Sequence, residues 1–261
     1  MAKAERISLM ILAVMICAGR TQADEKPASV PEIRALITTG GHGFQRKPFF
    51  KMFSDMPGIT CTNARMPGAA SLLKPGLEKK YDVIVMYDMV KSILPEQRKA
   101  FLGLLKTGIG VISLHHNLGA HRDWDEFHRI IGGQYLFEPR KIDGKEYRKS
   151  TYAHGQDIDV KVIDGKHPVT SGISDFRIHD ETYKHCYVSP GAHVLLGTEH
   201  PKSIRQLAWV TKYGRSPVFY LMLGHDAKAW QNPAYPKLLL NGIRWASENA
   251  AVSRSAKDGG K

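Results

Sequence analysis

The chain has 261 residues, 43% hydrophobic and 24% charged, which is material for one sizeable core and an ordinary composition for a folded soluble domain. The formal charge of +12 would suit a polyanionic partner. The basic residues are dispersed, however, with no dense basic helix, zinc-knuckle spacing or aromatic ribonucleoprotein motif, and this excludes nucleic-acid binding while leaving attraction to an acidic polysaccharide open.

Residues 1–23 read as a secretory signal peptide. Lys3 and Arg6 precede an apolar run from Ile7 to Ala18, and Thr21-Gln22-Ala23 offers small residues for cleavage. Two alternatives are an anchoring helix, for which the run falls short of the roughly 20 residues a span needs, and lipidation at Cys17, for which Met15-Ile16 is a poor match. No other stretch is long and apolar enough for a span, so the expected location is secreted or periplasmic with no membrane span after cleavage. The leader carries a net +2, which leaves the mature chain at +10.

Residues 24–32, with Pro27 and Pro31, form a linker, and the domain is expected over 33–250. Ile33–Thr38 is a short strand ending in Thr39-Gly40-Gly41. Residues 47–54 have helical spacing, and Ile59–Asn63 is a second strand. Tyr81–Tyr87 is almost continuously apolar, as strands covered on both faces are. Pro95 opens a helix that stops by Gly108. Gly110–Leu114 is the next buried strand, followed by a helix through Trp124, Phe127, Ile130 and Ile131. The polar stretch 134–158 breaks the alternation and is expected as an insertion or long loop. Strands return at 158–163, 194–198, 207–210 and 218–223, a last helix spans Tyr235–Ser247, and 251–261 is a disordered tail. This order predicts an α/β fold: a mostly parallel, doubly wound sheet with helices on both faces.

In such sheets ligands bind outside the carboxyl ends of the strands. Gly40-Gly41-His42-Gly43-Phe44, His115-His116-Asn117 and Gly224-His225-Asp226 each follow a predicted strand, so three strands deliver histidines to one rim. A fourth element, His179-Asp180-Glu181-Thr182-Tyr183, brings carboxylates; taken alone these also fit solvated or capping charges. A histidine with a carboxylate makes a general acid–base pair, and several histidines with a carboxylate hold a borderline metal such as zinc or manganese. The catalytic candidates are His115, Asp180, Glu181 and His225. Sugar-binding candidates are His42, Phe44, His116, Trp124, Tyr183 and Trp230, and the metal candidates are His115, His154, Glu181 and His225. Trp209, Trp245 and His128 read as packing residues, and His167 as part of a turn. Cys61 and Cys186 either pair in an oxidising compartment or stay buried thiols; neither sits in a CxxC.

Gly40-Gly41-His42, Leu114-His115, Gly132-Gly133-Gln134, His167-Pro168-Val169-Thr170, Asp180-Glu181-x-Tyr183, Ala208-Trp209, Tyr213-Gly214-Arg215, Val218-Phe219-Tyr220, Gly224-His225 and Gly242-Ile243-Arg244-Trp245 occur in one order over residues 33–247. Each is short, but the ordered set resembles the ThuA-like (trehalose-utilisation) family. The resemblance implies a flavodoxin-like sheet of the class I glutamine amidotransferase type and a sugar or oxidised disaccharide as partner. It is also what singles out His154, by its place after the Gly-Gly helix end. The turn that carries a nucleophilic cysteine in that superfamily here carries His115-His116, which removes thiol chemistry. A GxSxG serine elbow is missing as well. His116, His121 and Arg122 stand where smaller residues are expected. Two functions remain: an enzyme acting on a keto-glycoside, and a non-catalytic sugar-binding protein using the same pocket.

Overall fold

The computed structural model describes residues 32–258. The expected leader, the linker up to residue 31 and residues 259–261 lie outside the described residues. Strands β1 (Ile33–Gly40), β2 (Ile59–Arg65), β3 (Val83–Asp88), β4 (Gly110–Leu114) and β13 (Ser216–Leu221) pair in parallel in the order β2-β1-β3-β4-β13. Every residue of β3, β4 and β13 is buried, which is why they read as unbroken apolar runs. The sheet continues through β12 (Gln206–Tyr213), β11 (His193–Gly197), β8 (Thr151–Val162) and β9 (Phe176–Lys184), and each of these joins is antiparallel. The expected α/β sheet is therefore present, with a parallel half that carries the histidine-bearing turns and an antiparallel wing.

Helices α1 (Arg46–Ser54), α2 (Pro95–Leu105), α3 (Asp125–Ile131), α4 (Ala227–Trp230) and α5 (Ala234–Asp258) surround the sheet. Pro95 at the first position of α2 lacks the amide that would go unbonded there, and Gln97 Oε1 accepts from the Leu94 N–H at 2.9 Å. α5 lies so close to β13 that a Cβ on Gly242 would stand 2.5 Å from the Phe219 ring. The next residue, Tyr220, stacks on Trp209 at 4.2 Å, and Trp209 donates to the Ile131 carbonyl at the end of α3. Adjacent strand residues face opposite ways, so α5 and α3 cover opposite faces, as a doubly wound sheet requires. Among the described residues no helix is long and apolar enough to cross a membrane.

Several elements differ from the sequence reading. β5 (Gly133–Gln134) pairs with β10 (Tyr187–Val188), and β6 (Arg140–Ile142) with β7 (Lys145–Tyr147). β8 begins at Thr151, so with β5, β6 and β7 more than half of the expected loop is strand. This part of β8 pairs with β9 alone, because β11 meets only Lys161 and Val162. With little cover, it carries polar residues on both faces and leaves no period to read. α5 runs on through 248–258, which takes in residues assigned to the tail; no Gly or Pro falls between residues 243 and 258. Cys61 and Cys186 are both free thiols.

His121 and His128 sit in the core beside Trp124 and Phe127, His121 4.5 Å from the Phe127 ring. Burial pushes both down to about 4, and each Nδ1 lacks a hydrogen-bond partner. A base whose folded pKa is depressed contributes stability above its unfolded pKa, near 6.5, and loses it as pH falls toward the folded value. Stability should therefore drop between pH 6.5 and 4, by on the order of 3 kcal/mol for each histidine. The thermal midpoint across that range checks this: His121→Phe should flatten the fall, and an equally steep fall in that variant rules the histidine out as its cause.

Candidate functional site

The carboxyl ends of β1, β4 and β13 lie on one rim of the sheet. His115 follows β4 directly and holds φ +47, a left-handed value uncommon for a non-glycine residue. That turn frees His115 and His116 from strand alternation, and the two rings stand 5.5 Å apart at 77°. His115 Nδ1 is 2.7 Å from the Met222 carbonyl, which can only accept, so Nδ1 carries the proton and Nε2 presents a lone pair. Nε2 lies 3.0 Å from Glu181 Oε2, 3.1 Å from His225 Nδ1 and 3.0 Å from the Tyr183 hydroxyl.

Glu181 and Tyr183 come from β9, four strands from β13 in the sheet. A flat sheet would hold β9 roughly 19 Å from β13. The contacts made by Asp180 and Tyr183 show that the wing of β8 and β9 curls back over the rim. Glu181 Oε2 is 3.3 Å from His225 Nδ1, and Oε1 is 3.0 Å from His154 Nδ1. Burial pushes the Glu181 carboxyl up, but the imidazoles of His115 and His225 beside it outweigh this and hold the group well below the usual range. In turn the hydrogen bond to Glu181 raises His225, against the opposing effect of burial. Burial pushes the Tyr183 hydroxyl well up, so it serves as a donor.

Asp180 does different work. Its carboxylate is fully buried and accepts from the N–H groups of Gly224 at 2.6 Å, His225 at 3.0 Å and Glu181 at 2.8 Å. Both oxygens are occupied by backbone, so Asp180, one of the catalytic candidates, sits as a positioning residue that holds the backbone of Glu181, Gly224 and His225. Gly224 is fixed from every side: its carbonyl accepts from the Tyr87 hydroxyl and the Trp230 indole, and at φ +110 a Cβ would meet the Tyr235 hydroxyl at 2.2 Å.

A pocket of about 190 Å³ opens beside Glu181. It is lined by His42, His116, His154, Tyr183 and Glu181, and by Met89, Gly119, Tyr135, Phe137 and Tyr152. The exposed His42 ring stacks on the buried His116 ring at 4.5 Å. Nε2 of His116 lies 3.3 Å from the Tyr87 carbonyl, and burial holds its pKa well below the usual value, so its ring stays neutral. The structure thus brings together His42, His115, His116, His154, Glu181, Tyr183 and His225.

The expected aromatic walls lie elsewhere. Trp124 is buried against Phe101, His121 and Phe127. Trp230 is buried beneath the rim against Phe49 and Tyr87. Phe44 joins Phe49, Phe50 and Tyr87 and lines a neighbouring cleft. The aromatic wall is made of Tyr135, Phe137 and Tyr152, with Tyr152 61% exposed and 5.1 Å from the His154 ring. All three lie in or beside the segment read as a loop. Their one signal was aromatic residues recurring in a polar stretch.

A doubly wound sheet whose rim turns carry histidines beside a buried carboxylate, with no cysteine among them, defines the class: an α/β protein with an imidazole–carboxylate site. The chain belongs to the ThuA family: the family model described as trehalose utilisation matches residues 14–246. Solved structures agree on the fold. A ThuA-like protein of Parabacteroides merdae is 21% identical with a TM-score of 0.68, over 83% of this chain and 90% of that one. A ThuA-like protein of Bacteroides uniformis is 20% identical with a TM-score of 0.65, over 86% and 95%. PurLQS of Thermotoga maritima is 11% identical with a TM-score of 0.51, over 82% and 99%. No curated protein matches the chain in sequence.

Proposed function

We propose that this chain, a member of a family tied to carbohydrate utilisation, is a secreted enzyme acting on a keto-glycoside or related oxidised disaccharide with a divalent metal held by His115, Glu181 and His225. The observation that carries this reading is the donor triangle. His115 Nε2, His225 Nδ1 and Glu181 Oε2 stand 3.0, 3.1 and 3.3 Å apart. Tetrahedral bonds of about 2.0–2.1 Å place neighbouring donors roughly 3.3 Å apart, and two imidazoles with a carboxylate suit zinc or manganese. The Met222 carbonyl orients the His115 ring, as outer partners of metal-bound histidines do.

When bound, such an ion stabilises the negative charge that develops on a carbonyl oxygen. The chain supplies the rest. His154 donates Nδ1–H to Glu181 Oε1, which leaves Nε2 as a base at the pocket wall. In this reading it removes the proton from the carbon beside the keto group. The Tyr183 hydroxyl donates within the pocket, His42 and His116 hold substrate hydroxyls, and the Tyr135, Phe137 and Tyr152 face packs on the sugar ring. The pocket lies below the 300 Å³ at which sites for larger ligands begin, so it suits one ring with the rest of the substrate outside. A second reading, acid–base chemistry without metal, is favoured by the Glu181–His225 pair, whose mutual hydrogen bond stabilises the charged form of each.

The test is elemental analysis of untagged protein purified without chelator, followed by a screen of disaccharides and their keto forms. About one zinc or manganese per chain, with turnover of a keto form that stops on chelation and returns with metal, is the expected result. No metal together with turnover selects the acid–base reading. Sugar binding with no turnover of any form removes the enzyme and leaves a binding protein.

A further inference from the structure

Beside the pocket lies a second cleft of about 550 Å³, lined by Thr39, Gly40, Gly41, His42, Gly43, Phe44, Arg46 and Arg65. His42 lines both cavities, so the two adjoin at one imidazole. The cleft is also on the rim where ligands bind. Arg65 ends β2 and stands in register with Thr39 near the end of β1.

Its charge is one-sided. No acidic residue lines the cleft, and neither Arg46 nor Arg65 forms an ion pair among the described residues. Other arginines at the sheet are paired, Arg34 with Asp82, Arg98 with Asp123 and Arg177 with Asp159. Arg46 is held over Phe44 and Phe50, its guanidinium carbon 5.5 and 5.1 Å from the ring centres. Stacking of this kind fixes the fork without using its hydrogen-bond donors. Two guanidiniums with unspent donors in a recess are matched to a carboxylate or phosphate.

We infer that this cleft is a second sugar subsite, and that it takes an anionic unit, a sugar bearing a carboxylate or a phosphate ester, whose neighbouring ring occupies the 190 Å³ pocket. The inference rests on the proposed function for the identity of that first ring. Arg46 and Arg65 bind the anionic group, and His42 separates the two units. The substrate is then an acidic disaccharide, which fits the basic charge of the whole chain.

Titration calorimetry tests this on the intact protein with four probes: trehalose, trehalose 6-phosphate, a glucuronyl-glucose disaccharide and inorganic phosphate. At least one anionic disaccharide should bind about tenfold or more tighter than trehalose, and the advantage should shrink as salt is raised. The phosphate and uronate arms identify which anion is preferred. In Arg46→Gln/Arg65→Gln the advantage should vanish; both side chains are on the surface, and an unchanged thermal midpoint shows the fold intact. Equal affinity for neutral and anionic sugars, a preference that survives in the double variant, no binding of any sugar, or phosphate alone binding as tightly as its sugar ester each overturns the inference. A preference for anionic sugars in a protein that proves free of metal and of turnover would remove the proposed function and leave this subsite standing. Turnover of neutral keto-sugars with no such preference would do the reverse.

Discussion

With the proposed metal centre, His225→Ala is expected to release the ion and to lower turnover of the proposed keto-sugar by at least about 10²–10³-fold, the range for loss of one preorganised electrostatic group. His225 contributes one corner of the donor triangle, 3.1 Å from His115 Nε2 and 3.3 Å from Glu181 Oε2. Its side chain is only partly buried, on the turn after β13, and no backbone group depends on the ring, so the fold should survive. His115→Asn should behave alike. Asparagine tolerates the left-handed backbone at φ +47 that alanine would strain against, which makes it the cleaner variant there. His42→Ala is the control: the ring lines the pocket but lies outside the triangle, so metal should stay while KM rises. Elemental analysis and steady-state kinetics on the three variants separate these roles. Metal retained in both His225→Ala and His115→Asn would rule out the triangle as the metal centre.

The histidines of the site were legible because they obey a rule of topology. His42, His115 and His225 each follow a strand, and a parallel order sends those strand ends to one rim. That Glu181 and Tyr183 would join them was legible only through the ordered motifs of the family. In the sheet they belong to a strand four places away, and the curl of an antiparallel wing leaves no period in a sequence. The aromatic residues were misread for a related reason. Trp230 lies five residues past His225, but sequence distance says nothing of direction, and Asp226 caps a short helix that turns the indole under the rim to bond the Gly224 carbonyl. Asp180 and Glu181 were grouped together in the sequence because a carboxylate beside another looks the same whether it faces a substrate or the backbone.

That difference gives the sharpest stability prediction. Asp180→Asn should cost about 2–3 kcal/mol, since one buried acceptor oxygen becomes an NH₂ group facing an amide that it cannot satisfy. Asp180→Ala leaves three buried N–H groups unpaired and should cost more, roughly 3–5 kcal/mol, a large part of an ordinary domain's stability. The three amides belong to Glu181, Gly224 and His225, so the loss falls on the backbone that fixes two corners of the proposed donor triangle. Both variants should lose metal as well as stability. Glu181→Gln should cost stability too, but less than Asp180→Ala. The fold favours the charged carboxylate, and the amide leaves His225 without its anionic partner while the backbone amides around it keep theirs. Thermal or denaturant unfolding beside metal content reads the contrast. If Asp180→Asn unfolds where the wild type does, the carboxylate is not holding the loop. If Glu181→Gln unfolds as early as Asp180→Ala, the two neighbours share one structural role, and the division between a residue that holds the site and one that works in it fails.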